Sequence, residues 1–388
     1  MTDMTFGAAP ARDDVESVLA RWWRTVDRWS VGAVLALAVI GLVLGLAASV
    51  PLAERNGLAP FHYVTRQAAF AAVGLGLMFW LSLQSPAMVR RIGVIGFAGA
   101  FAALCLLPFL GTDFGKGAVR WYSLGFASLQ PSEFLKPFLV VFCAWLMAAG
   151  FERNGPPGKT LSLLVVATAA GLLAMQPDFG QAMLTLTAWG VMYFVAGASL
   201  PLLAGLTALT GAAGVFAYTR SEHLARRIDG FLAAEVDPRT QLGYAADAIR
   251  QGGYFGVGVG EGSVKTILPD AHTDFIIAVA AEEYGLVLCL FVIALFLLLT
   301  LRALARLAHE RDHFVRLAGC GLAALIGLQA FVNMGVAVRL LPAKGMTLPF
   351  ISYGGSSMLA AGIVMGMLLA LTRRRPQRDV TDALEGEG

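Results

Sequence analysis

Charge is what this sequence has least of. Asp, Glu, Lys and Arg make up only 14% of its 388 residues, where a soluble protein carries roughly a quarter. The missing charge is replaced by apolar runs of membrane-spanning length, repeated from residue 31 to 372, and these exclude a soluble all-helical domain. Cysteine is also scarce. Cys105, Cys143, Cys289 and Cys320 all sit within apolar runs, without zinc or disulfide-framework spacing, and read as buried packing. The five histidines, at 62, 223, 272, 309 and 313, show no ligand pattern. No Walker loop, dinucleotide glycine motif or zinc-protease helix is present. The small formal charge of +3 points away from a nucleic-acid partner. The first 30 residues are polar and rich in Arg and Trp, with no evident cleavable signal peptide.

What the chain does have is hydrophobicity, at 57% of residues. The apolar windows predict an all-α polytopic membrane protein of ten transmembrane helices, near 31–50, 66–84, 92–110, 133–149, 160–175, 180–197, 200–218, 275–300, 314–336 and 354–372. This divides the chain into an N-terminal segment 1–30, a membrane domain 31–372 and a tail 373–388. With both termini placed in the cytoplasm, the inner segments hold most of the arginines, including Arg21, Arg24, Arg28, Arg302, Arg306, Arg373 and Arg374. The short outer loops hold few cations, among them Arg55, Arg66, Arg120 and Lys344. That bias is the positive-inside pattern. One outward connection, residues 219–274, is a loop of more than fifty residues, far above ordinary loop length and therefore a candidate functional segment.

Polar groups at the outer helix ends need a reason. Asp274 begins the eighth span within LPDAHTDFI (268–276). It can cap the helix, whose N-terminus favours a negative charge, or it can face a cavity as a proton acceptor. Glu282 and Glu283 lie inside the same span, where ionisable residues face protein or water; support of the bundle through a cation is the plainer reading. Glu133 and Lys136, in QPSEFLK (130–136), are spaced i,i+3 and can form an ion pair. Arg120 and Lys136 are equally the residue types that hold a phosphate. Asp178, in QPDFG (176–180), reads first as a helix cap. Pro342, Gly345 and Pro349 break the connection between the ninth and tenth spans. That connection is expected to be partly re-entrant, which irregular backbone tolerates only against protein or a water-filled cavity. Lys344 within it can reach a phosphate or the interface.

Taken in order, RW with QPSEFLK at 120–136, QPDFG at 176–180, LPDAHTDFI with EEYG at 268–285, and NMGV with LLPAKGMTLPFISYGGSS at 333–357 resemble the SEDS family of polytopic cell-wall proteins over about residues 30–372. The AKGMTLPFISYGG form is closer to the family's division branch than to its elongation branch. The sequence departs from many relatives at Tyr244 to Asp247 in the large loop and at Ile277. The resemblance implies a ten-helix inner-membrane glycosyltransferase that polymerises lipid II at the septum, beside an FtsI-like class B penicillin-binding transpeptidase and other divisome membrane proteins. It implies Asp274 as catalytic residue, with Arg120, Glu133, Lys136, Asp178, Lys265, His272 and Lys344 around the substrate. No tightly bound cofactor is expected; a divalent cation, Mg or Mn, can share the work at the pyrophosphate. Two rivals use the same features. A lipid II flippase or transporter also needs intramembrane acids and broken helices, and a non-catalytic septal scaffold needs only partner contacts.

Overall fold

The computed structural model describes residues 18–374, apart from 114–118, 126, 221, 234–237 and 343–344. Lys344, residues 1–17 and the tail from 375 therefore lie outside the described residues. Ten apolar helices form where the sequence predicts them. They are α2 (Arg28–Arg55), α3 (His62–Ser82), α4 (Pro86–Leu110), α5 (Pro131–Ala149), α6 (Gly158–Met175), α7 (Phe179–Val195), α8 (Leu200–Arg220), α11 (Ile276–Leu307), α12 (His313–Ala337) and α13 (Gly355–Thr372). Among the described residues nine helices are long and apolar enough to cross a membrane, and α7 is the shorter tenth. Helix satisfies every backbone group internally, which the lipid interior requires. Starts follow local chemistry. The Ser85 and Asp312 side chains accept capping bonds from Met88 and Val315, and Pro86 and Pro131 sit at first helical positions.

The large loop is not one loop. It contains α9 (Glu222–Leu232), α10 (Gln241–Gly252) and a 3-10 turn at Val264–Thr266. Thr240 caps α10 by accepting from the Gly243 N–H, so the segment folds locally. Before the first span lies a short helix, α1 (Val18–Thr25). Two strands of two residues each, β1 (Tyr122–Ser123) and β2 (Ser128–Leu129), pair antiparallel ahead of α5, with Tyr122 opposite Leu129.

Small residues decide how closely the helices approach. A Cβ at Gly362 of α13 would stand 2.2 Å from the Gly74 carbonyl of α3, and one at Gly366 would stand 2.8 Å from Met78 O, the close backbone packing that membrane helices use. The buried centre lies on α5, α12 and α13, whereas α8 buries none of its residues. Of the cysteines, three are buried and Cys105 is exposed on α4, so the packing role fails for that one. Between α12 and α13, Met346, Leu348, Phe350, Ile351 and Ser352 are buried, so this connection does enter the bundle. Gln67 of α3 meets its backbone need, donating to the carbonyls of Ile351 (2.9 Å) and Gly41 (3.0 Å). The N- and C-terminal ends share one face, since the Arg374 N–H donates to Thr25 O at 3.1 Å.

Candidate active site

On the opposite face a cavity of about 680 Å³ opens among α3, the hairpin, the turn before α11 and the re-entrant segment. Arg66, Arg120, Glu133, Asp178, Asp270, His272, Asp274, Thr347, Tyr353 and Ser356 are among its lining. Five of the eight expected site residues thus meet in one place: Asp274, Arg120, Glu133, Asp178 and His272. Lys136 and Lys265 do not line it, and the phosphate contact expected of them gives way to buried ion pairs. Lys136 Nζ sits 2.9 Å from Glu133, as the i,i+3 spacing allows; Lys265 pairs with Glu283. A buried ammonium needs its counter-ion, and that demand takes both lysines out of the cavity.

Asp274 is not a helix cap. Phe275 holds that position, with no side-chain capping bond, and the carboxylate borders the cavity instead. The turn that presents it is tied down by backbone contacts. Thr273 and Asp274 donate their N–H groups to Asp270 O, and Asp270 takes φ +54°, a left-handed conformation that aspartate tolerates. The re-entrant segment grips the same turn: Ser352 Oγ donates to Thr273 O at 2.5 Å, and Tyr353 N–H to His272 O at 2.9 Å. Asn333 of α12 completes the grip. Its amide group donates to Asp274 O (2.9 Å) and to Met346 O (2.5 Å). One turn earlier in α12, Gln329 donates to Thr347 O and accepts from Lys136, while Gln181 of α7 donates to Glu133. The polar chain Gln181, Glu133, Lys136, Gln329 therefore runs from the cavity wall to the backbone beside Asp274.

Arg120 enters the cavity ahead of β1, its guanidinium anchored on the carbonyls of Gln176 (3.1 Å) and Pro177 (2.7 Å). Neutral carbonyls orient it without cancelling its charge. Asp178 holds the N-cap position of α7, where the Gln181 backbone reaches its carboxylate; the same carboxylate borders the cavity and accepts from Gln130 and Ser132, each at 3.4 Å. Burial pushes this carboxyl above the usual range, against the nearby Arg120 charge and with the Glu133 charge. His272 lies against Tyr63 and Tyr353, ring centroids 5.8 and 5.6 Å away. Ser356 ties the hairpin to α13, donating to Ser128 O and accepting from the Gln130 N–H, both at 3.0 Å.

Sequence reasoning left Arg66, Tyr63, Asp270 and Asn333 out of the site. Arg66 looked like an ordinary interfacial cation, and Asn333 gave no signal beyond its place in NMGV. Among the described residues no three His, Cys, Asp or Glu side chains converge as a metal centre. Mg is commonly held by one or two carboxylates together with water and substrate phosphates, and the cavity lining carries Glu133, Asp178, Asp270 and Asp274.

Comparison with known proteins agrees with this architecture. The family described as "Cell cycle protein", comprising FtsW, RodA and SpoVE, matches residues 28–377. A probable peptidoglycan glycosyltransferase FtsW of Caulobacter vibrioides is 42% identical over 367 residues, covering 94% of each chain. One from Halorhodospira halophila is 40% identical over 363 residues, covering 89% of this chain and 90% of its own. A solved peptidoglycan synthase complex, described for its structural coordination of polymerization and crosslinking, contains a chain 28% identical with a TM-score of 0.74, covering 89% of this chain and 97% of that one. The crystal structure of the Thermus thermophilus rod shape determining protein RodA is 27% identical, with a TM-score of 0.65 and coverage of 90% and 97%. Motif order, ten-helix fold and whole-length similarity agree: the chain belongs to the FtsW, RodA and SpoVE family of membrane-embedded SEDS proteins.

Proposed function

We infer that this protein is a peptidoglycan glycosyltransferase of the FtsW type, polymerising lipid II at the outer face of the cytoplasmic membrane during septal wall synthesis. The observation that carries the reading is the position of Asp274. It borders the same cavity as Arg120 and Arg66, on the face opposite the arginine-rich chain ends. The positive-inside bias turns that face outward and leaves both termini in the cytoplasm.

A sugar hydroxyl is a weak nucleophile at neutral pH, and a positioned general base contributes about 10²–10⁴-fold. Asp274 takes the proton from the 4-hydroxyl of the acceptor lipid II. The resulting oxygen attacks C1 of the donor MurNAc with inversion, the C1–phosphate bond breaks, and undecaprenyl pyrophosphate leaves with the bonding pair. Arg120, held on two carbonyls, and Arg66 offset the charge that develops on the pyrophosphate. Tyr63, His272 and Tyr353 form a triangle of rings in mutual contact at the cavity wall, where a sugar ring can pack. A divalent cation bound beside the pyrophosphate would supply additional charge neutralisation. A class B penicillin-binding transpeptidase of the FtsI kind is the expected partner, as coordinated polymerization and crosslinking in the similar complex suggests.

The test is reconstitution of the purified protein with its transpeptidase partner and lipid II in the outer leaflet. Long glycan chains are expected. Movement of lipid II between leaflets without polymer would identify a flippase, and activation of the partner without either would identify a scaffold.

A further inference from the structure

The face opposite the cavity concentrates arginine. On a helical wheel α1 places Val18, Leu19, Trp22 and Trp23 on one half and Arg21 and Arg24 on the other. Trp22 pins the helix to the end of α3: its indole N–H donates to Ser82 Oγ at 2.8 Å, and its ring meets Phe79 edge-on at 5.0 Å. Val18, Leu19 and Trp23 remain exposed, next to Arg28, which stacks over Trp23. Trp29 and Trp80 are exposed at the same ends of α2 and α3. Exposed tryptophans at helix ends belong to the headgroup level of a bilayer, where a ring meets both apolar and wet surroundings. A basic amphipathic helix lies in that plane.

The ends of α11 and α13 meet this helix with further arginines. Arg302 donates twice to Asp27, at 2.8 and 2.9 Å, and Arg306 sits 3.1 Å from the same carboxylate. Arg306 also donates to Thr372 O, and Arg373 to Ser82 O. The Arg374 backbone donates to Thr25 O. Arg302 and Arg306 thus use up the Asp27 carboxylate, while Arg374 lies near Arg306 and Arg21 near Arg373. Burial and then the like charge of Arg21 hold Arg373 below the usual arginine range, so an anion at this corner relieves a standing repulsion.

We propose that this corner is a binding site for an anionic phospholipid: its phosphate sits among Arg21, Arg373 and Arg374, and its acyl chains lie along Leu19, Trp23 and Trp29. The apolar flank selects a lipid over a free anion, because inorganic phosphate gains nothing from three exposed apolar side chains. This site stands apart from the cavity and does not depend on the polymerase reading.

The experiment measures lipid retention on the full-length protein by native mass spectrometry, and thermal unfolding in nanodiscs at low salt. Phosphatidylglycerol is compared with phosphatidylcholine of the same chains. A juxtamembrane arginine near an anionic surface is worth roughly fivefold in binding. The wild type is therefore expected to favour phosphatidylglycerol on the order of tenfold or more, with a higher melting temperature in it. Arg21→Gln, Arg373→Gln and Arg374→Gln combined should abolish the preference, and the three Lys replacements should keep most of it. Leu19→Ser with Trp23→Ser should weaken retention of both lipids. Asp274→Asn should leave the preference intact. Should the triple Gln variant misfold, Arg374→Gln alone, at an exposed position, should lower the preference severalfold. The proposal is overturned if the wild type shows no preference, or if the Gln variants keep it. Inorganic phosphate that competes as well as the lipid would reduce the corner to a plain anion site and also overturn it.

Discussion

Lys136 with Glu133 and Lys265 with Glu283 are two buried lysine–glutamate pairs, alike in chemistry and different in surroundings. The first forms between adjacent turns of α5. It reaches sideways to Gln181 of α7 and Gln329 of α12, and Glu133 still lines the cavity. The second joins residues on either side of the turn that carries Asp274. Glu283 accepts from the Gly260 N–H as well as from Lys265, and Glu282 beside it accepts from the N–H groups of Val264 and Lys265. That clamp closes over a break in α11 at Gly285, whose φ of +76° and ψ of −172° are not helical. The freed backbone is taken up by the glycine-rich strap: Val257 and Gly258 donate to the carbonyls of Glu282 and Glu283, and Leu286 donates to Gly253 O. Glycine is required at 256, where φ is +81° and a Cβ would fall 2.1 Å from Glu283 O. One pair therefore borders the cavity, and the other fastens the loop that leads to it.

The contrast can be broken experimentally. The largest effect is expected from Glu283→Ala, which strands the Lys265 ammonium in the interior. Losing one partner of a buried pair costs about 3–5 kcal/mol, so a large drop in melting temperature is expected. Lys265→Met with Glu283→Leu should recover much of it, and an unshifted melting curve for Glu283→Ala would refute the clamp. Lys136→Met should cost less stability, because Glu133 keeps its bond from Gln181 and its access to the cavity. Its loss should appear in turnover, on the order of 10- to 100-fold, through displacement of the segment held by Gln329. Equal stability losses for the two single variants would erase the distinction.

A smaller effect is expected of Asn333→Ala. It removes the hydrogen bonds onto Asp274 O and Met346 O, at about 1–2 kcal/mol in stability. Because the residue positions the base without touching substrate, kcat should fall more than KM changes; a pure KM effect would count against it. The smallest is Asp178→Asn. The carboxyl is raised by burial, so the folded state holds its proton more tightly than the unfolded chain does. Its contribution to stability is fully present below the unfolded value of about 3.9 and declines as pH rises through the folded one. The Asn variant should match the wild type in melting temperature near pH 4 and exceed it slightly at pH 8. The reverse trend would show that Arg120 outweighs burial.

The same contrast marks what could be read from residues alone. All ten apolar helices were legible, because length and composition are what the bilayer selects. The Glu133–Lys136 pair was legible because both partners share one helix face. Asp274 was legible as a candidate, but its choice between cap and cavity was not, since that depends on the turn begun by Asp270. Lys136 offered both the pair and a phosphate contact, whereas Lys265 entered the site through the family resemblance, its counter-ion Glu283 lying 18 residues away along the chain. Asn333 and Gln329 stayed hidden because their partners, Asp274 and Lys136, lie 59 and 193 residues away along the chain. The two-residue strands were invisible for a simpler reason: no pattern of period two fits in them.

The central claim is that Asp274 is the base of the reaction, held by the re-entrant segment at the edge of a cavity that also holds Arg66 and Arg120. The most direct measurement is lipid II polymerisation by purified Asp274→Asn with the proposed transpeptidase partner, alongside its melting temperature and its lipid II binding. The account predicts a loss of about 10²–10⁴-fold in polymerisation, with melting and binding close to wild type. Glycan chains made at the wild-type rate by that variant would contradict it.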